Sequence, residues 1–116
     1  MSGDIESLRS KLRVFADERD WDKFHSPKNL AAALSVEAAE LLEHFQWITE
    51  QESSSLSQQK REQIAEELAD VLLYLIRLSD KLDIELAEAA LRKLQKNALK
   101  YPVEKAKGKS TKYTDL

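Results

Sequence analysis

Two short stretches carry the residues most able to do chemistry: Glu37-Ala38-Ala39-Glu40 and, thirty positions later, Glu67-Leu68-Ala69-Asp70. Each is a pair of carboxylates three apart within a run of helical periodicity, so both acids of a pair leave their helix on nearly the same side. At 100° per residue, Leu30, Leu34, Ala38, Leu41, Phe45 and Ile48 form one apolar stripe, with Glu37 and Glu40 at its edge. Ile64, Leu68, Val71, Leu75, Leu78 and Leu82 form a second, with Glu67 and Asp70 in the matching position. If the stripes pack together, four carboxylates meet in a partly dry seam. Each like-charged pair then costs on the order of 4 kcal/mol at about 4 Å and an effective dielectric of about 20. A cation is expected between them. With no Cys in the chain and no His within the pairs, the donor set is all oxygen. That set suits Mg²⁺, or Mn²⁺, better than Zn²⁺, Cu²⁺ or iron. Mg²⁺ also keeps several waters, which leaves room for phosphate oxygens. The competing reading of each pair is an exposed acidic helix flank making weak surface ion pairs.

These acids must be held by a small helical protein. The chain has 116 residues, 42% hydrophobic and 34% charged, with two Gly and two Pro, which is the composition of one helical globular domain. A chain this short makes a shallow site alone, so a second copy is expected to complete it. The net charge of -3 gives no reason to expect nucleic-acid binding. No apolar run approaches the roughly 18 residues of a membrane span, and the N-terminus lacks the basic-then-apolar order of a signal peptide, so a cytoplasmic location is expected.

Taken in order, Ile5, Leu8, Leu12 and Phe15 predict a first helix over 4–19. Residues 20–26 have no period but hold Trp21 and Phe24, which either plug the end of the core or form a binding loop. Ser26 and Pro27 open a helix expected to reach about Ile48, with His44 and Trp47 on the carboxylate side. An indole there could stack on a planar ring. Residues 49–56 read as a polar surface loop, and Ser57 as the cap of a long helix over 58–82. On that helix Tyr74, Arg77 and Lys81 continue the acidic edge, while Leu73 and Ile76 make it apolar on two sides, as in an oligomer. Asp83 is expected to cap a last helix over 84–100, with Leu91 and Leu94 toward the core and Lys93, Asn97 and Tyr101 along another side. Pro102 stops it. The sequence thus divides into a helical domain over 1–102 and a basic tail over 103–116, read as a flexible arm that either stays disordered or folds over an anionic ligand.

With these residues in place, the chain resembles the MazG-like all-α nucleoside triphosphate pyrophosphohydrolases, and within them the dCTP pyrophosphatase branch. The family's metal motif, ExxE followed by ExxE or ExxD, is matched by Glu37, Glu40, Glu67 and Asp70. Longer strings carry the resemblance further: ERDWDKFHSPKNL at 18–30, EHFQW at 43–47, EELADVLLYL at 66–75, NALKYPV at 97–103 and KYTDL at 112–116. The resemblance implies an all-α bundle of four main helices, assembled as a homotetramer (a dimer of dimers). It implies that the four acids bind Mg²⁺ and carry catalysis, that Trp21 and Trp47 help form a base pocket, and that Tyr74, Lys93 and Asn97 contact the nucleotide. Lys112 and Tyr113 are expected to help close over the triphosphate. Where the branch has a His on the first helix near the base, this chain has Leu12, so hydrogen bonding at that point is lost.

The implied reaction is hydrolysis of a deoxynucleoside triphosphate, dCTP above others, to monophosphate and pyrophosphate. Two alternatives stay open: a broader or modified-dNTP pool-cleaning pyrophosphatase, and a helical scaffold without activity. A di-metal carboxylate oxidase is disfavoured, because neither acidic pair has the His that such Glu-x-x-His sites require.

Overall fold

Helix α1 spans Ser2–Glu18 in the computed structural model, which describes residues 2–116. Its Leu8, Leu12 and Ala16 recur at helical spacing and face inward. The helix closes on a Schellman motif: Trp21 N–H donates to Ala16 O at 2.9 Å and Asp20 N–H to Asp17 O at 3.1 Å. Asp20 sits at φ 53°, a left-handed conformation that a short polar side chain tolerates. The reversal drops Trp21 onto Phe15, ring edge to face at 5.5 Å.

A single 3₁₀ turn, Asp22–Phe24, leads to helix α2, Pro27–Glu43. Its start follows the sequence: Ser26 Oγ accepts from Asn29 N–H at 3.1 Å, and Pro occupies the first turn. Its end does not reach Ile48, because Phe45 N–H and Gln46 N–H both turn back to Leu42 O, at 2.8 and 2.9 Å, and tighten the chain into turns. The stretch read as a loop holds a one-turn helix α3, Glu50–Ser53, closed by a capping box between Thr49 and Glu52. The T-x-x-E signal for it is in the sequence.

Helix α4, Gln58–Lys81, is the longest, and Ser57 caps it as expected. It too ends in a Schellman motif, with Ile84 N–H donating to Ser79 O at 2.8 Å and Asp83 at φ 57°. Asp83 therefore terminates α4 rather than capping the next helix, and Glu85 takes the N-cap position of α5, Leu86–Lys100. Among the described residues every regular element is helical, which makes the fold all-α. No helix is long and apolar enough to cross a membrane.

The chain forms two compact units, one ending at Ile84 and one spanning Glu85–Leu116. In the first, α4 packs against α2 and, less extensively, against α1. Ala16, Leu30, Ile64 and Ile76 are its buried apolar residues. The packing face is rotated from the one expected. Glu37 and Glu67 are half-buried on the inward side, whereas Ala38 and Leu68, assigned to the stripes, are exposed, Leu68 by 52%. Leu30, Leu34, Glu37 and Leu41, at helical spacing, form the inward line on α2. Ile76 is fully buried in α4, so Ile76→Ala is expected to lower unfolding free energy by about 3 kcal/mol in a urea titration, through lost transfer energy and the cavity left behind.

In the second unit α5 stops ahead of Pro102, which starts the one-turn helix α6, Val103–Ala106. A 3₁₀ turn at Tyr113–Asp115 follows, and Tyr113 meets Tyr101 edge to face at 6.0 Å with the Lys100 ammonium 4.7 Å from its ring. The basic tail is thus folded onto the end of α5, where the sequence suggests a flexible arm. Leu91 and Leu94, expected in the core, are 62% and 64% exposed. The amphipathic period of α5 is real, but Leu91, Leu94 and Leu99 on it are exposed.

Candidate active site

Helices α2 and α4 place acids in the interface between them. Glu37 comes from the middle of α2, Glu67 and Asp70 from the facing turn of α4, and one carboxylate oxygen from each lies within 4.8 Å of the others. Glu67 and Asp70 are one turn apart and Glu37 stands opposite, so three of the four predicted acids converge. Glu40, one turn beyond Glu37, adjoins it without joining the tight set.

The electrostatics are those of carboxylates crowded together in a helix interface. Glu37 Oε2 and Glu67 Oε2 are buried with no hydrogen-bond partner. A buried carboxylate oxygen without a donor is costly in any folded protein. Loss of solvation, followed by the neighbouring Glu67 and Glu40 carboxylates, pushes the Glu37 carboxyl up to about 7 from 4.5. A hard divalent ion fits this arrangement: it supplies positive charge to the two orphaned oxygens and takes the all-oxygen donors that are present.

Beside the acids, a cavity of about 240 Å³ opens among α1, the 20–26 loop and α4. Leu12, Phe15, Trp21, Leu73 and Tyr74 give it apolar and aromatic walls, and Asp70, His25 and Arg77 supply its polar groups. Asp70 belongs to both the carboxylate set and the cavity wall. Trp21 and Tyr74 thus stand where a flat ring could sit with its substituent directed at the acids. Leu12 lies in the same wall, at the position the sequence singled out.

Trp47 is placed differently. Because α2 ends at Glu43, Trp47 falls in the following turns and its side chain is 86% exposed, outside the cavity lining. Lys93, Asn97, Lys112 and Tyr113 lie in the Glu85–Leu116 unit, where Asn97 is half-buried and Tyr113 packs on Tyr101.

A chain of charged groups behind the cavity was not legible as a network. Arg77, buried on α4, donates from Nε to His25 Nδ1 at 3.2 Å and from Nη2 to Asp22 Oδ1 at 3.0 Å. Its Nη1 lies 3.7 Å from Asp80 Oδ2. Asp22 is shared with Lys81, and Asp80 accepts from Arg13 Nε at 2.8 Å. Lys81 holds the Asp22 carboxyl below its usual range, and Arg13 does the same for Asp80. Arg77 was visible as an extension of the acidic edge. Its partners His25 and Asp22 are more than fifty residues away, and no local pattern announces such pairs.

Comparison with known proteins places the chain in a family. The profile of the MazG-like family matches residues 32–116. The chain is 42% identical to dCTP pyrophosphatase 1 of Rattus norvegicus over 114 residues, which is 97% of this chain and 67% of that protein. It is 43% identical to dCTP pyrophosphatase 1 of Homo sapiens over the same shares. A crystal structure of a pyrophosphatase from Archaeoglobus fulgidus superposes with a TM-score of 0.79 at 47% identity, covering 84% of this chain and 91% of that one.

Proposed function

The chain belongs to the MazG-like family, and from that premise we propose that it hydrolyses a deoxynucleoside triphosphate, with dCTP favoured, to the monophosphate and pyrophosphate. The observation that carries this reading is the sharing of Asp70: one residue joins a converging carboxylate set to a ring-sized aromatic cavity. A nucleotide has that same layout, a flat base at one end and a polyanion at the other.

Glu37, Glu67 and Asp70, with Glu40 beside them, would hold Mg²⁺ or Mn²⁺. When bound, such an ion supplies positive charge to the triphosphate and Lewis acidity at the phosphorus under attack. The residues themselves do the rest. Trp21, Phe15 and Tyr74 enclose the base and exclude water from one end of the substrate. Glu40, outside the tight set, is placed to orient a water or accept its proton. From the resemblance we assign Lys93 and Asn97 to the nucleotide, Lys112 and Tyr113 to closure over the triphosphate, and Trp47 to the base pocket. Trp47, Leu68, Leu91 and Leu94 are exposed in the single chain, which supports assembly into a homotetramer. Cytoplasmic nucleotide-pool control is the role that fits.

A second reading is favoured by Leu12. An apolar side chain in the cavity wall donates no hydrogen bond to a base, which suits broader dNTP or modified-dNTP cleaning.

Pyrophosphate release from the four dNTPs, the four NTPs and 5-methyl-dCTP in Mg²⁺ decides between them. Turnover of dCTP at least about tenfold above dATP, dGTP and dTTP is expected, a difference that one base-specific hydrogen bond can supply. Comparable turnover of several bases would move the function to pool cleaning. A folded, metal-supplied protein that releases no pyrophosphate from any nucleotide would overturn the enzymatic reading and leave a helical scaffold.

A further inference from the structure

The backbone bonds of the 20–26 segment are local. Trp21 N–H reaches Ala16 O at 2.9 Å, Phe24 N–H reaches Trp21 O at 2.8 Å and His25 N–H reaches Asp22 O at 3.1 Å. A side-chain bond from Asn29 Nδ2 to Phe24 O, at 3.0 Å, ties it to α2. Its attachment to α4 runs through side chains. Buried Arg77 donates from Nε to His25 Nδ1 at 3.2 Å and from Nη2 to Asp22 Oδ1 at 3.0 Å, so one planar guanidinium grips the 3₁₀ turn at its start and just past its end. Lys81 adds a second hold on Asp22.

The two halves of that grip answer acid differently. Lys81 holds the Asp22 carboxyl below its usual range, so this half stays ionised in mild acid. The His25 half does not survive protonation. A guanidinium N–H can only donate, so the bond exists only while Nδ1 keeps its lone pair and the imidazole proton lies on Nε2. A second proton must go to Nδ1, where it sets one cationic N–H against another.

The surroundings resist that proton until the segment lets go. From α4, Arg77 and Lys81 face the ring, with Asp22 of its own turn opposing them. Behind Arg77, Asp80 is shared with Arg13 of α1, with Arg9 nearby. Asp70 of α4 shares the cavity wall, whereas the α1 residues there, Leu12, Phe15 and Ala16, carry no charge. Burial, then Arg77 and Lys81, hold the imidazole below the ordinary histidine range. Docking is therefore strongest above that range and weakens as pH falls through it.

We propose that Arg77 and His25 form an acid-released clasp, which fastens the 20–26 segment to α4 at neutral pH and frees it, with the Trp21 wall of the cavity, when a proton enters at His25 Nδ1. The device acts on the fold alone and stands whether or not the chain is a pyrophosphohydrolase.

Hydrogen exchange on the full chain tests it, with protection taken against intrinsic exchange at each pH and amides inside α4 as the control for global unfolding. Between about pH 7.5 and about pH 5.5 the Phe24 and His25 amides of the wild type are expected to lose about tenfold in protection, the effect of one charge-assisted hydrogen bond. His25→Asn carries a non-titrating acceptor, Oδ1, close to where Nδ1 stands, and should stay protected at both pH values. His25→Phe has no acceptor and should be poorly protected at both. In side-chain ¹⁵N spectra of the wild type, Nδ1 should be unprotonated at the upper pH and gain its proton over the range in which protection falls. Wild-type protection that ignores pH overturns the clasp, as does a His25→Asn variant that loses protection like the wild type, a His25→Phe variant as protected as the wild type, or a proton already on Nδ1 at the upper pH.

Discussion

Asp70→Asn is expected to reduce pyrophosphate release by at least about a thousandfold, roughly 4 kcal/mol of transition-state stabilisation, while leaving the helical content unchanged. The two parts of that expectation have separate causes. Asp70 is exposed and packs nothing in the core, so its amide should fold as the acid does. Yet it is one of three carboxylates whose oxygens lie within 4.8 Å of each other, and it also stands in the cavity wall. An amide there keeps size and shape and loses charge. Glu67→Gln makes a parallel test from the buried side, since Glu67 Oε2 has no partner. A rise in Tm with Mg²⁺ is expected of the wild type, and both variants should lack it. Activity within tenfold of wild type in Asp70→Asn would remove the metal assignment.

The second expectation concerns stability in the absence of metal. The Glu37 carboxyl is raised to about 7 from 4.5, so the folded chain binds this proton more tightly than the unfolded chain does. Its contribution to stability is complete below pH 4.5 and is lost as pH rises through 7, when ionised Glu37 must share the seam with Glu67 and Glu40. His25 works in the opposite sense, because its proton affinity is lowered by folding, and stability from it is lost as pH falls through the ordinary histidine range. The comparison is therefore with Glu37→Gln, which removes the first effect alone. In chelator, the Tm of wild type minus that of Glu37→Gln is expected to fall by about 5 °C between about pH 5 and about pH 8. Millimolar Mg²⁺ or Mn²⁺ at the upper pH should reverse the fall, since an ion that binds only the folded seam stabilises it by mass action. A difference that stays flat across this range would mean that the carboxylates are well solvated and that no cation is needed between them.

Both expectations turn on the same physical fact, that charge has been placed where packing would otherwise favour leucine. On α2 the inward line runs Leu30, Leu34, Glu37, Leu41, and on α4 Glu67 follows the buried Ile64 at one turn's distance. Natural helices seldom interrupt a packing face with an unpaired acid, because each such group forgoes hydration without a partner in return. Here two helices do it at facing positions. The stability forgone in the metal-free chain is the physical origin of its expected affinity for a cation.

What was legible in the sequence is what depends on neighbours along the chain. The all-α class followed from periodicity and from scarce Gly and Pro, and Ser26, Pro27 and Ser57 marked helix starts because a cap bonds to a backbone N–H only three residues on. The carboxylate pairs were visible because three residues make one helical turn. Tertiary structure decided the rest, for reasons that act across sequence distance. Which face of α2 and α4 turns inward depends on the partner helix, so Glu37 and Glu67 proved to be in the packing face and Ala38 and Leu68 outside it. The left-handed Asp20 and Asp83 ended helices through bonds to carbonyls on the preceding turn, and the first of these reversals brought Trp21 over Phe15. The Arg77 contacts to His25 and Asp22 join segments more than fifty residues apart, and only folding could fix the tautomer of a histidine that the sequence presents simply as one letter in a loop.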